Sequence, residues 1–195
     1  MEELFIAVIA AFITALVGKS WRKFLIAVAI FALLFLVFNS FLSPIHNYEI
    51  VIEDCTWEEA RQQCIDKGGH LVRINSEKEF DYVTDLLNRK GYKDYYFYLG
   101  GRRELNNTEY YWINEENQFI GERLNRSENW LNPYWYHSEP SFQDIGSGAS
   151  SIVSEDVMTL FFVSENWYLN DSASDLPGDY PSLLSGKVGY IMEKE

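Results

Sequence analysis

The chain has 195 residues with 16 basic and 29 acidic side chains, a net charge of −13. That balance argues against nucleic-acid binding, which needs a basic footprint, and two cysteines with three histidines are too few for a Cys/His zinc framework. Aromatic residues make up 16% of the chain, and their large apolar surfaces make a packed core attainable without disulfides.

Two apolar runs open the chain. Leu4 to Val17 has only Thr14 as a polar residue, and Phe24 to Leu42 is interrupted only by Asn39 and Ser40. A membrane-spanning helix needs roughly 20 mainly apolar residues. The second run meets that length; the first is short, and either spans or lies at the interface. Lys19, Arg22 and Lys23 sit between the two runs and should stay cytoplasmic, which places everything after Leu42 outside the cytoplasm. Residues 1–43 are therefore expected to be a membrane anchor in the lipid bilayer, with Ser43-Pro44 as the break. Residues 44–195 have the size of one domain. They carry 13 basic and 27 acidic residues, a net of −14; this excess suits either a solvated acidic surface or cation binding.

Tyr48 to Glu53 suits an opening strand. Thr56-Trp57-Glu58-Glu59 has the pattern of a capping box, and the helix behind it carries Trp57, Ala60, Cys64 and Ile65 on one face. Gly68-Gly69 ends it, and His70 to Ile74 reads as a short extended link. Ser76 to Glu79 repeats the capping pattern, and the second helix buries Phe80, Val83, Leu86 and Leu87 before Gly91. Beyond residue 92 the strand candidates are Tyr95–Leu99, Glu109–Ile113, Met158–Val163 and Val188–Met192. Residues 114–157 and 164–187 are rich in Asn, Ser, Pro, Gly and Asp and read as long loops, which in a compact domain usually carry function. Two helices followed by strands indicate an α+β domain.

Nine pieces in order resemble the C-type lectin-like domain family. They are Trp57-Glu58-Glu59-Ala60, Cys64, Gly68-Gly69-His70-Leu71-Val72 with Ser76 and Glu79, Tyr98-Leu99-Gly100-Gly101, Tyr111-Trp112-Ile113, Glu139-Pro140-Ser141, Glu155-Asp156, Trp167 with Asn170-Asp171, and Tyr190-Ile191-Met192-Glu193. The resemblance implies two helices packed on antiparallel strands with long loops over about residues 47–195. It also implies a calcium site. Glu139 and Ser141 would give oxygens from a turn held by a cis-proline at Pro140, with Glu155, Asn170 and Asp171 completing the ligand set. In such a site two vicinal sugar hydroxyls join the calcium shell, and the resemblance implies that Glu139, Ser141, Asn170 and Asp171 also hydrogen-bond those hydroxyls. The chemistry of the residues agrees, since calcium takes six to eight oxygens from carboxylates, amide carbonyls and water. In an acidic domain the same three acids also read as ordinary loop residues.

The chain departs from the family pattern in three ways. Ser141 stands where an amide or carboxylate is usual, so sugar preference is not legible. The stretch from Ser141 to Glu155 is long, and Tyr168-Leu169 are inserted between Trp167 and Asn170. The family's disulfides have no counterpart, because Met192 stands where the partner of Cys64 falls and Val157 where a loop cysteine falls. Cys55 and Cys64 lie nine positions apart, and helical residues between them rise roughly 12 Å, too far for a disulfide. Two free thiols are expected, with Cys64 buried opposite Met192, and an outer domain without disulfides points to a bacterium. Trp130, Tyr134, Trp135 and Tyr136 flank the site as core residues or as rings for sugar faces.

No catalytic motif is present. The histidines lack zinc spacing, Gly146-Ser147-Gly148 lacks the strand–turn–helix setting of a phosphate loop, and no carboxylate pair is singled out for glycoside hydrolysis. The sequence therefore reads as a non-enzymatic, membrane-anchored, outward-facing domain that recognises carbohydrate or a cell-surface glycan with calcium. The alternative is a calcium-independent protein-binding or structural module on the same fold.

Overall fold

A computed structural model of the chain describes residues 47–145 and 152–194, together with residues 25, 26 and 28–32, which are helical. The chain divides into two units, Met1–Ile45 and His46–Glu195. Among the described residues no helix is long and apolar enough to cross a membrane. The first apolar run and most of the second lie outside the described residues.

The second unit begins with β1 (Asn47–Ile52) and α1 (Trp57–Asp66). Thr56 caps α1 reciprocally: its hydroxyl accepts from Glu59 N–H at 3.2 Å, and the Glu59 carboxylate accepts from Thr56 N–H at 2.8 Å. Two donors that a helix start leaves free are thereby satisfied. Trp57, Ala60 and Cys64 are buried as expected, while Ile65 is half-buried. The Trp57 indole N–H donates to the Leu99 carbonyl at 2.8 Å, tying α1 to the sheet.

After β2 (His70–Leu71) comes α2 (Glu77–Lys90). Here the second capping box is only half formed. The Ser76 hydroxyl accepts from Glu79 N–H, but the Glu79 carboxylate reaches one residue further, accepting from Asn75 N–H at 2.8 Å and the Tyr48 hydroxyl at 2.6 Å. Phe80, Val83 and Leu87 are buried, with Thr84 in place of the expected Leu86. Gly91 closes the helix at φ 75°, a conformation that glycine adopts without a steric penalty.

The remaining strands are β3 (Tyr96–Arg102), β4 (Tyr111–Ile113), β5 (Phe119–Ile120), β6 (Gln143–Ile145), β7 (Ile152–Ser154), β8 (Val157–Val163), β9 (Asn166–Ser172) and β10 (Val188–Lys194). Two one-turn helices, α3 (Leu176–Asp179) and α4 (Pro181–Leu184), precede β10. β10 pairs antiparallel with β1 and β2 but parallel with β3, so the sheet is not wholly antiparallel. β3 also pairs with β8, and β8 forms a long hairpin with β9. The stretches read from composition as loops hold the most consequential corrections. Residues 114–157 contain β5 and the separate β6–β7 hairpin, and residues 164–187 contain all of β9. Asn, Asp and Ser have weak strand propensity, but pairing with an apolar neighbour strand overrides it.

Both faces of the sheet are covered. On one face Phe97, Leu99, Met158, Leu160, Leu169 and Ile191 pack with Phe80, Val83 and Leu87 of α2. On the other, Tyr98, Val157, Val188, Tyr190 and Met192 pack with Trp57, Ala60 and Cys64 of α1 and with Leu176 and Leu184. Cys55 and Cys64 are free and buried, with Cys64 in the same cluster as Met192. Gly100 lies where a Cβ would sit 2.6 Å from the Leu71 carbonyl, so the close passage of β3 under β2 requires glycine.

Candidate functional site

Three distant segments meet at the end of the β8–β9 hairpin. The segment before the hairpin is docked on β9, with Tyr136 N–H donating to the Leu169 carbonyl at 2.9 Å. It then turns through a cis Glu139–Pro140 peptide. Ser138 and Phe142 on either side hold positive φ angles of 71° and 69°, which costs a non-glycine residue on the order of 1–2 kcal/mol. Such strain persists only where surrounding contacts fix it. Asp171 supplies those contacts: its carboxylate accepts from Phe142 N–H at 2.7 Å, Ser141 N–H at 3.2 Å and the Tyr110 hydroxyl at 3.3 Å.

The long spacing between Ser141 and Glu155 is absorbed by the β6–β7 hairpin, which pairs Gln143 with Ser154 and returns the chain to its starting point. Glu155 N–H donates to the Phe142 carbonyl at 3.1 Å, and the Ser141 hydroxyl donates to the Glu155 carboxylate at 2.9 Å. Arg103 secures this junction from below. It is 5% exposed, and its guanidinium donates to the carbonyls of Glu155, Phe142, Glu104, Leu105 and Asn107. Tyr110 adds a hydrogen bond from its hydroxyl to the Glu155 carbonyl at 2.7 Å.

Tyr168-Leu169 lie within β9 between Trp167 and Asn170. Side chains alternate along a strand, so Trp167, Leu169 and Asp171 fall on one face. Those three are buried, while Tyr168 and Asn170 on the other face are half-buried.

The result is a cluster in which one oxygen from each of Glu139, Glu155 and Asp171 lies within 4.8 Å of the others. Among the described residues no lysine or arginine pairs with any of the three. Burial, and then the neighbouring Asp171 charge, pushes the Glu155 carboxyl up to about 8. Asp171 is raised as well, by burial and by its hydrogen bond with Glu139, despite the opposing backbone N–H donors. Glu139 Oε2 is buried and has no hydrogen-bond partner. Unpaired carboxylates out of water are expensive unless protonated or bound to a cation, and this donor set fits a hard divalent ion such as calcium.

Of the residues picked out from sequence, Glu139, Ser141, Glu155 and Asp171 come together. Asn170 is on the opposite face of β9, its amide donating to the Asp171 carbonyl and to the Ser172 hydroxyl. Tyr110, Phe142 and Arg103 hold the site together and were not picked out. The doubled arginine at the end of β3 was the one signal available for Arg103. Trp135 is 7% exposed and in the core; its indole N–H is buried without a partner. Trp130 and Tyr134 pack against the same core, with Tyr134 on Phe80 at 4.1 Å.

Residues 53–154 match the family model described as Lectin C-type domain. The match covers just over half of the chain, and the chain belongs to this family of C-type lectin domains. The fold agrees. The C-type lectin domain of murine dendritic cell inhibitory receptor 2, solved in complex with N-glycan, superposes with a TM-score of 0.51 at 20% identity, over 77% of this chain and 91% of that one. Human lithostathine superposes with a TM-score of 0.52 at 15% identity, over 77% and 88%. At these identities the likeness is one of fold.

In sequence, the chain is 34% identical to snaclec bitiscetin subunit alpha of Bitis arietans over 64 residues, 33% of this chain and 49% of the relative. It is 24% identical to human C-type lectin domain family 4 member D over 124 residues, 64% of this chain and 47% of the relative. The chain thus spans about half the length of these curated relatives. They are animal proteins, which gives no support to the bacterial source suggested by the missing disulfides. The relatives are C-type lectins and related binding domains rather than enzymes.

Proposed function

We propose that residues 44–195 form an extracytoplasmic lectin domain that binds carbohydrate with the help of one calcium ion. The observation that carries this reading is the convergence of Glu139, Glu155 and Asp171 within 4.8 Å, with one buried carboxylate oxygen left without a partner. Glu139, Glu155 and Asp171 would hold the ion, with the Ser141 hydroxyl beside them. When bound, calcium offers open coordination positions to vicinal sugar hydroxyls. Asp171 does double work here, because the backbone donors it accepts shape the turn that presents Glu139. The murine relative bound to N-glycan supports carbohydrate as the ligand class.

The anchor belongs to the same proposal. Leu25, Ile26, Val28, Ile30 and Phe31 are all exposed on their helical stretch, as lipid-facing side chains are and water-facing ones rarely are in such a run. With Lys19, Arg22 and Lys23 held in the cytoplasm, the domain would face outward.

Titration calorimetry of the full chain in detergent tests the ion. The expected result is calcium binding near ~10⁻⁴–10⁻³ M, as in extracellular modules, abolished in Glu139→Gln. One feature favours a second reading as a metal-free protein-binding module: both Asp171 oxygens already accept backbone donors, and the residue is 0% exposed. No heat with calcium and no effect of a chelator on melting would select that reading and reject the first.

A further inference from the structure

Three tripeptides of the domain have the Asn-X-Ser/Thr pattern: Asn106-Asn107-Thr108, Asn125-Arg126-Ser127 and Asn170-Asp171-Ser172. In a protein that faces outward this pattern is an acceptor for N-linked glycan, whose bulk has to sit in solvent once the domain is folded. The fold separates the three. Asn170 lies inside β9, opposite Thr159, and its amide donates to the Asp171 carbonyl and to the Ser172 hydroxyl. Ser172 is 2% exposed and its hydroxyl is bonded to that of Thr159 at 2.7 Å, so this tripeptide is built into the ladder. Asn125 is half-buried and acts as a brace. Its side-chain carbonyl accepts from Tyr110 N–H at 3.1 Å and from the Arg123 guanidinium at 3.0 Å, and its amide donates to the Thr108 carbonyl at 2.8 Å.

Asn106 differs on every count. Asn106, Asn107 and Thr108 are all exposed. Asn107 N–H donates to the Glu104 carbonyl at 2.9 Å, which closes a four-residue turn with Asn106 in third place. The turn is gripped by its backbone: the Arg103 guanidinium donates to the carbonyls of Glu104, Leu105 and Asn107 at 3.1, 3.0 and 2.9 Å. Among the described residues neither the Asn106 amide nor the Thr108 hydroxyl has a hydrogen-bond partner. Beside the turn lies a hollow of about 380 Å³, lined in part by Leu105, Thr108, Phe142 and Ile152. Leu105 and Ile152 are each 70% exposed, apolar surface left to water.

We infer that Asn106, alone of the three asparagines, carries an N-linked glycan, whose first rings lie over the hollow with their C–H faces on Leu105 and Ile152. The inference rests on the outward orientation proposed above, because the transfer takes place on the non-cytoplasmic side of a membrane. Its co-substrate is an oligosaccharide joined through a diphosphate to a membrane lipid. A bond forms between Asn106 Nδ2 and C1 of the first sugar, and the bond from C1 to the diphosphate oxygen breaks. The lipid diphosphate leaves with the electron pair, and Nδ2 gives up one of its two protons. The Thr108 hydroxyl is the second half of the acceptor pattern. Modification leaves the turn intact, because the hydrogen bonds that hold it use Glu104, Leu105 and Asn107 and not Asn106.

The test expresses the full chain in cultured animal cells and follows its gel mobility before and after treatment with a peptide N-glycosidase. The wild type is expected to run slower by one glycan, and the treated chain to hold aspartate in place of Asn106, read by peptide mass. Asn106→Gln and Thr108→Ala should each abolish the shift, while Thr108→Ser, which keeps the hydroxyl, should retain it. Ser127→Ala removes the second pattern without touching the Asn125 brace and should leave the shift whole. The readout is taken on denatured chains, so it does not depend on how well a variant folds. Protease protection of sealed microsomes from the same cells reads orientation separately. No shift with a protected domain would overturn the inference and leave the outward reading standing, whereas no shift with a digested domain would overturn both. A shift that survives Asn106→Gln in part or in full, or that is lost in Ser127→Ala, would also overturn it, since another asparagine would then carry the glycan.

Discussion

Stripping divalent ions and raising the pH should destabilise the domain, and the size of the effect follows from the acidic cluster. Without an ion, burial and the neighbouring Asp171 lift Glu155 from 4.5 to about 8. The folded-state value lies above the unfolded one, so the stability this group contributes is fully present below about pH 4.5 and is lost as pH rises through about 8. At about 1.36 kcal/mol per pH unit, the loss from Glu155 alone amounts to roughly 3–5 kcal/mol. Asp171 shifts in the same direction and adds to the loss. For a domain of this size, melting should fall on the order of 10 °C between about pH 5 and pH 8.5. Calcium replaces the protons, so it should restore most of that loss, with a larger gain at the higher pH. Thermal melts followed by near-ultraviolet circular dichroism, with chelator and with calcium, measure both effects. A chelated melt that is flat or rising across that range would mean the three carboxylates are solvated apart, and the site as described would be wrong.

Further outcomes follow from neighbouring residues. Asp171→Ala leaves Ser141 N–H and Phe142 N–H without their acceptor, while the Tyr110 hydroxyl keeps the Glu155 carbonyl; denaturant melts should show a loss of roughly 2–4 kcal/mol. Arg103→Lys keeps the charge but not the fork that binds five carbonyls, so it should cost roughly 2–3 kcal/mol and weaken calcium binding in calorimetry. Gly100→Ala forces a Cβ against the Leu71 carbonyl and should cost roughly 1–3 kcal/mol, read by chemical denaturation. Burial pushes the thiols of Cys55 and Cys64 up to about 12, so a thiol reagent at neutral pH should label neither until the domain unfolds.

The helices were legible because their signals are local. Capping residues and apolar spacing sit within a few positions of each other, and α1 and α2 start where Thr56 and Ser76 say they should. Strand β9 was not legible, because Asn166, Asn170, Asp171 and Ser172 carry little strand propensity and are strands only through pairing with β8. The same holds for the β6–β7 hairpin, whose pairing is what closes the distance between Ser141 and Glu155. The acids of the cluster could be picked out by motif order, but the side on which Asn170 falls is set by strand alternation. Arg103 and Tyr110 escaped notice because their work is done through backbone carbonyls, which leave no mark in a sequence.

Strand β9 carries Asp171 on one face and Asn170 on the other, so the residue that fixes the turn and its outward neighbour share a single stretch of backbone. A replacement at position 170 leaves the enclosure of Asp171 in place, whereas one at position 171 undoes the turn. Variation along this strand is cheap on one side and costly on the other.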